Sequence, residues 1–144
     1  MTQIITNTEK ETFELGIKTA QSLKGGEVIG LVGNLGAGKT IFTKGIAKGL
    51  GIKGVVNSPT FVIMKVYKVK SQLSKVNCLI HIDAYRLKSA NDLIAIGAEE
   101  YFGKPDSIVI IEWADKIKKT LPKNTIFYNF KISSFFRSIK KDVL

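Results

Sequence analysis

One cysteine, one histidine, one tryptophan and two arginines are all that this chain of 144 residues has of those types. Cys78 has no partner for a disulfide within the chain, which fits a reducing compartment. The opening Met1-Thr2-Gln3-Ile4-Ile5-Thr6 lacks the basic start and apolar run of a secretory leader, so a cytoplasmic location is expected. No apolar run nears the roughly 18 residues needed to cross a bilayer, and no membrane partner is expected. There is no internal repeat, no low-complexity stretch and no Cys, His and Asp grouping with the spacing of a zinc site. The scarcity of arginine also bears on the charge. Net charge is +10, yet 20 of the 22 basic residues are lysine, leaving only Arg86 and Arg137. A polyanion partner is one reading of that excess. Scattered lysines are the alternative, a solvated surface, and because base reading leans on arginine, DNA is not expected as a partner.

What is present in strength is one stretch. Gly33-Asn34-Leu35-Gly36-Ala37-Gly38-Lys39-Thr40 is a full G-x-x-x-x-G-K-[ST] phosphate loop. Glu27-Val28-Ile29-Gly30-Leu31-Val32 before it reads as a short buried strand. From Lys39 to Leu50, Phe42, Ile46, Ala47 and Leu50 recur at helical spacing. Glycines let the loop turn its N–H groups inward, and the helix that follows adds the positive end of its dipole, so the concavity suits polyphosphate. In such a loop Lys39 reaches the β- and γ-phosphates and the Thr40 hydroxyl holds magnesium.

The length predicts one domain over residues 1–144, large enough to bury roughly 68–70% of its unfolded surface. Thr8-Glu9-Lys10-Glu11 has the form of a helix start, with Phe13, Ile17, Ala20 and Leu23 following at helical spacing up to Gly25-Gly26. Ile4 to Asn7 is either a short added strand or the lip of the nucleotide pocket. Gly49-Leu50-Gly51 closes the second helix. Val55 to Phe61 contains Pro59, which keeps Ser58 extended; the segment is either a nucleotide switch loop or an ordinary proline turn. Phe61 to Tyr67 and Cys78 to Asp83 predict an antiparallel hairpin. Ser89 opens a short helix packing Leu93 and Ile94 inward and continuing through Glu99 to Phe102. Ile108 to Glu112 is an unbroken β-branched run suited to a strand covered on both faces. Lys116 to Lys119 reads as a charged turn, and Thr125 to Ile132 and Phe135 to Val143 as terminal strands. The fold class expected is therefore α/β, with a central sheet partly parallel and partly antiparallel, flanked by helices in the manner of P-loop NTPases.

A phosphate-loop enzyme needs a carboxylate at a strand end for its magnesium, and two strands offer one. Glu112 is the stronger direct ligand, because its apolar strand belongs in the sheet centre beside the loop strand. Asp83 is assigned to a metal-bound water or to the attacking water. His81 shares a face with Asp83 and reads as a hydrogen-bonded structural group, and Cys78 as core. No Asn-Lys-x-Asp guanine reader is present, which argues against a GTPase.

The phosphate loop, Ser58-Pro59-Thr60-Phe61, His81-Ile82-Asp83-Ala84-Tyr85-Arg86 with Leu87, Gly97 with Glu100-Tyr101-Phe102, and Ile111-Glu112-Trp113 together resemble the TsaE family, from about Leu15 to Pro122. The phosphate loop alone belongs to many families, whereas the set in this order is specific. The resemblance implies a cytoplasmic ATPase using ATP, ADP and magnesium. It would act with TsaB- and TsaD-like partners that transfer threonylcarbamoyl to the adenosine beside the anticodon of ANN-decoding tRNAs. It further implies that Leu35, Gly36, Ala37, Gly38, Lys39 and Thr40 hold the phosphates and that Thr40 and Glu112 hold the metal. Ser58, Pro59 and Thr60 would form the switch loop, Asp83 would assist hydrolysis, and Trp113 would lie by the site. Asn7 or Thr8, and Arg137, match positions near the nucleotide. Ile41 departs from the family pattern, where a second threonine is common, and so does the unusual Phe135-Phe136 before Arg137. With no lid and no second substrate pocket, intrinsic turnover is expected to be low, and contact with tRNA to run through the complex, direct binding being weak and salt-sensitive. The alternative is a docking module in which nucleotide occupancy, not hydrolysis, matters. A small-molecule phosphotransferase ranks below both, since nothing marks an acceptor pocket.

Overall fold

A computed structural model describes residues 2–59, 62–70 and 74–143. Seven strands form one sheet: β1 (Thr2–Thr6), β2 (Val28–Val32), β3 (Met64–Lys68), β4 (Cys78–Asp83), β5 (Ser107–Glu112), β6 (Ile126–Ile132) and β7 (Arg137–Val143), in the order β1-β7-β6-β2-β5-β4-β3. The strands β4, β5, β2 and β6 run parallel, while β3, β7 and β1 pair antiparallel at the two sides. The sheet is thus mixed, and the apolar run of β5 sits beside the phosphate-loop strand β2. All six β5 residues are buried, as befits a strand covered on both faces.

One face of the sheet is covered by α1 (Glu9–Ser22) and α2 (Lys39–Gly49), which pack with Ile29, Leu31, Ile110 and Tyr128. The other carries α3 (Ala90–Ala95) and two 3-10 turns, Ala98–Tyr101 and Ala114–Thr120, over Val28, Ile80, Val109 and Phe127. The Thr8 hydroxyl caps α1 by accepting from the Glu11 N–H at 3.1 Å, and the Glu11 carboxylate accepts from the Asn7 N–H at 2.7 Å.

Of the two readings of Ile4 to Asn7, the structure shows the strand: β1 pairs with β7 so that Thr6 lies opposite Arg137. Three expectations change. The buried side of α1 is Thr12, Gly16, Thr19 and Ala20, while Phe13 and Ile17 are only half-buried. The cause is a close crossing: a Cβ on Gly16 would stand 2.3 Å from the Phe42 carbonyl oxygen, and one on Gly45 2.1 Å from that of Phe13. Helices that touch backbone to backbone leave no room for large side chains between them. The helix from Ser89 does not continue to Phe102; it stops at Ala95, Gly97 turns left-handed, and a 3-10 turn follows, leaving Leu93 buried but Ile94 exposed. Lys116 to Lys119 belongs to a 3-10 helix anchored by buried Ala114 and Ile117.

Candidate functional site

The phosphate loop leaves the end of β2, closes a turn through the Ala37 N–H donating to the Asn34 carbonyl at 3.1 Å, and enters α2. Gly38 caps that helix with φ 103°, a conformation that costs a side-chain-bearing residue about 1–2 kcal/mol. Leu35 and Gly36 are exposed at the rim, Ala37 is buried beneath. A cleft of about 150 Å³ is lined by Glu9, Leu35, Gly36, Gly38, Lys39, Thr40, Ile41, Glu112 and Trp113. A second hollow, about 220 Å³ between α1, α2 and residues 52–56, offers two lysines among apolar side chains and no carboxylate.

The Lys39 side chain is buried, donates from Nζ to the Gly33 and Asn34 carbonyls, and lies 4.2 Å from the centre of the Trp113 ring. Burial pushes its pKa below the ordinary lysine value; the nearby carboxylates of Glu112, Asp115 and Asp83 act in the opposite sense. Glu112 ends β5, 4% exposed. Its Oε1 accepts from the Thr40 hydroxyl at 3.1 Å and from His81 Nε2 at 2.9 Å, and Ser58 Oγ approaches Oε2 at 3.5 Å. Burial alone pushes the Glu112 carboxyl upward. The hydrogen bond and electrostatic influence of His81, the Thr40 bond and the Lys39 charge together outweigh it and hold the group below the usual carboxylate value.

Directly after Glu112 the chain turns through Trp113 in a left-handed conformation, φ 59°, which sets the indole between Lys39 and the exposed Tyr85 ring 5.1 Å away. Asp83 lies opposite Glu112 in the β4–β5 register, and its Oδ1 accepts from the Tyr85 N–H at 2.9 Å. Arg137 packs over the loop: a Cβ on Gly38 would lie 3.3 Å from its Cδ, and its guanidinium is 4.0 Å from Glu9. Arg137 Nε is buried with no hydrogen-bond partner among the described residues. Asn7 is exposed, and its amide donates to Glu11 at 3.4 Å; the neighbour that lines the cleft is Glu9. Pro59 is buried and Ser58 half-buried, while Thr60 lies outside the described residues.

Lys39, Thr40, Glu112, Trp113 and Ser58 are therefore gathered where α2 begins and β5 ends, with Asp83 and Arg137 on either flank. Two members were not marked as site residues by sequence. Glu9 follows the Thr8 cap, and the β1–β7 register brings it to the loop. His81 reaches Glu112 only through the β4–β5 register.

The model of the family described as threonylcarbamoyl adenosine biosynthesis protein TsaE matches residues 6–139. This chain belongs to the TsaE family. TsaE proteins of Bacillus subtilis and Treponema pallidum, each described as a tRNA threonylcarbamoyladenosine biosynthesis protein, are 42% and 35% identical to it over 117 and 129 residues. These matches cover 81% and 89% of this chain, and 69% and 90% of the relatives. The crystal structure of Bacillus subtilis YdiB superposes with a TM-score of 0.79 at 34% identity, covering 99% of this chain and 86% of that one. The TsaE assignment carries the chain's role in threonylcarbamoyladenosine modification of tRNA. No helix among the described residues is long and apolar enough to cross a membrane.

Proposed function

We propose that this chain is a magnesium-dependent ATPase that supports threonylcarbamoyl transfer to the adenosine beside the anticodon of tRNAs reading codons that begin with A. It acts with TsaB- and TsaD-like partners and meets tRNA through that complex. The observation that carries the reading is the Thr40 hydroxyl bonded to the Glu112 carboxylate at 3.1 Å, beside Lys39 at the mouth of the loop.

The loop amides from Leu35 to Thr40 and the N-terminus of α2 bind the phosphates, and Lys39 exchanges its carbonyl partners for phosphate oxygens. Trp113 and Arg137 border the nucleotide, and Asn7 lies at its outer edge. Thr40 and Glu112 are hard oxygen donors, the chemistry that magnesium prefers. No group of three or more His, Cys, Asp or Glu among the described residues could hold a metal unaided, which suits an ion shared with phosphates and water. Magnesium bound there would neutralise charge on the β- and γ-phosphates. Asp83 orients the attacking water, and Ser58-Pro59-Thr60, whose first hydroxyl approaches Glu112, is the segment that responds to the nucleotide.

Phosphate release measured with and without TsaB- and TsaD-like partners tests the proposal. Slow turnover alone that rises in the complex is expected, and brisk turnover by the isolated chain contradicts it. A Glu112→Ala chain that binds ATP and still supports tRNA modification in cells would favour the docking-module reading instead.

A further inference from the structure

His81 is the chain's one histidine and is 0% exposed. Its strand neighbours Ile80 and Ile82 and its β5 register partner Ile110 are aliphatic, and its β3 register partner is Lys65. An apolar side chain would fill such a position at less cost than an imidazole, which must be desolvated. The ring makes one hydrogen bond among the described residues, from Nε2 to Glu112 Oε1 at 2.9 Å, and Nδ1 is buried without a partner. The bond, not the packing, distinguishes histidine here.

The geometry at Glu112 says what the bond does. The terminal torsion of a glutamate is broad and roughly two-fold, so one donor leaves the carboxylate free to rotate. Oε1 has two donors, the part-buried Thr40 hydroxyl at the cleft and the His81 ring beneath the surface. Among the described residues Oε2 has one approach, from the Ser58 hydroxyl at 3.5 Å. We propose that His81 is a positioning residue: its Nε2–H pins Oε1 of Glu112 from inside the sheet, fixing the carboxylate plane so that Oε2 is presented to magnesium. Donation requires a proton on Nε2. Groups behind a metal ligand commonly act this way, and their loss costs about 10–100-fold in metal affinity or activity. The assignment rests on Glu112 holding magnesium, as proposed above.

A lone histidine makes the test clean. In the metal-free protein, NMR should show a single imidazole whose Nε2–H exchanges slowly with solvent. Glutamine places an amide N–H near the Nε2 position, asparagine places it short, and leucine offers none. His81→Gln should keep the magnesium concentration for half-maximal ATP turnover within about threefold of wild type, while His81→Leu and His81→Asn should raise it about tenfold or more. Metal-free ADP affinity by calorimetry should be unchanged in all three, with thermal melts confirming that each is folded. A folded His81→Leu chain with the wild-type magnesium requirement overturns the assignment. So does a His81→Gln chain as impaired as the leucine variant, or an Nε2–H that exchanges freely. Failure of the wild type itself to bind magnesium–nucleotide, seen before any variant is compared, overturns the functional reading and this assignment with it.

Discussion

Glu112 joins three roles at one carboxylate: end of the central strand, partner of Thr40, and partner of His81. Because its folded pKa lies below its unfolded one, its contribution to stability is complete above the ordinary carboxylate value of about 4.3 and is lost as pH falls through the folded value. The wild type should therefore melt above Glu112→Gln at neutral pH, and the gap should close in melts taken below about pH 4. A gap that stays constant across that range would show that ionised Glu112 adds nothing. For Lys39 the slope has the same sign but lies in an alkaline window. Its lowered pKa makes the charged form the costly one, so stability attributable to it should rise as pH climbs toward the ordinary lysine range of about 10.4. Subtracting Lys39→Met melts from wild-type melts checks this. The phosphate loop was readable because its eight residues are contiguous and each glycine answers a local need. The His81–Glu112 bond was not, because it joins residues 31 apart that meet only once the strand register is set.

The pairing of α1 with α2 supports the loop from behind, since α2 begins at Lys39 and is held by the glycine crossing. A Cβ at Gly45 would meet the Phe13 carbonyl at 2.1 Å and Gly16 Cα at 2.9 Å, both backbone atoms that cannot turn aside. Gly45→Ala should cost about 2–3 kcal/mol in denaturant melts, more than an alanine gains in helix propensity, and should weaken nucleotide binding by shifting α2. An unchanged midpoint would show that the helices yield freely. The helices themselves were legible from capping residues and spacing. The face that α1 buries was not, because large apolar residues signal burial and this contact uses Gly16, Thr12 and Ala20 instead. The break at Gly97 was missed for a related reason: apolar spacing runs on through it while the backbone does not.

Across the whole molecule, the mixed sheet could be read from strand composition, and β5 could be placed beside β2 because Ile108 to Ile111 is an unbroken apolar run suited to the sheet centre. The position of β6 on the other side of β2, and the return of β7 to pair with β1, depend on chain crossovers that no local pattern encodes. That return carries Arg137 to Gly38. The net charge of +10, spread over 20 lysines, should give the isolated chain only weak affinity for tRNA that vanishes as salt rises. Filter binding at two salt concentrations checks this, and affinity that persists at high salt would mean a dedicated RNA surface. The central claim concerns the cradle of residues 35–40. Titration calorimetry of the folded wild type with ATP and ADP in the presence of magnesium should show saturable heat at one site, weakened at least about tenfold in Lys39→Ala, a loss of about 1.4 kcal/mol or more. No heat with either nucleotide, or equal affinity in the two proteins, would contradict it.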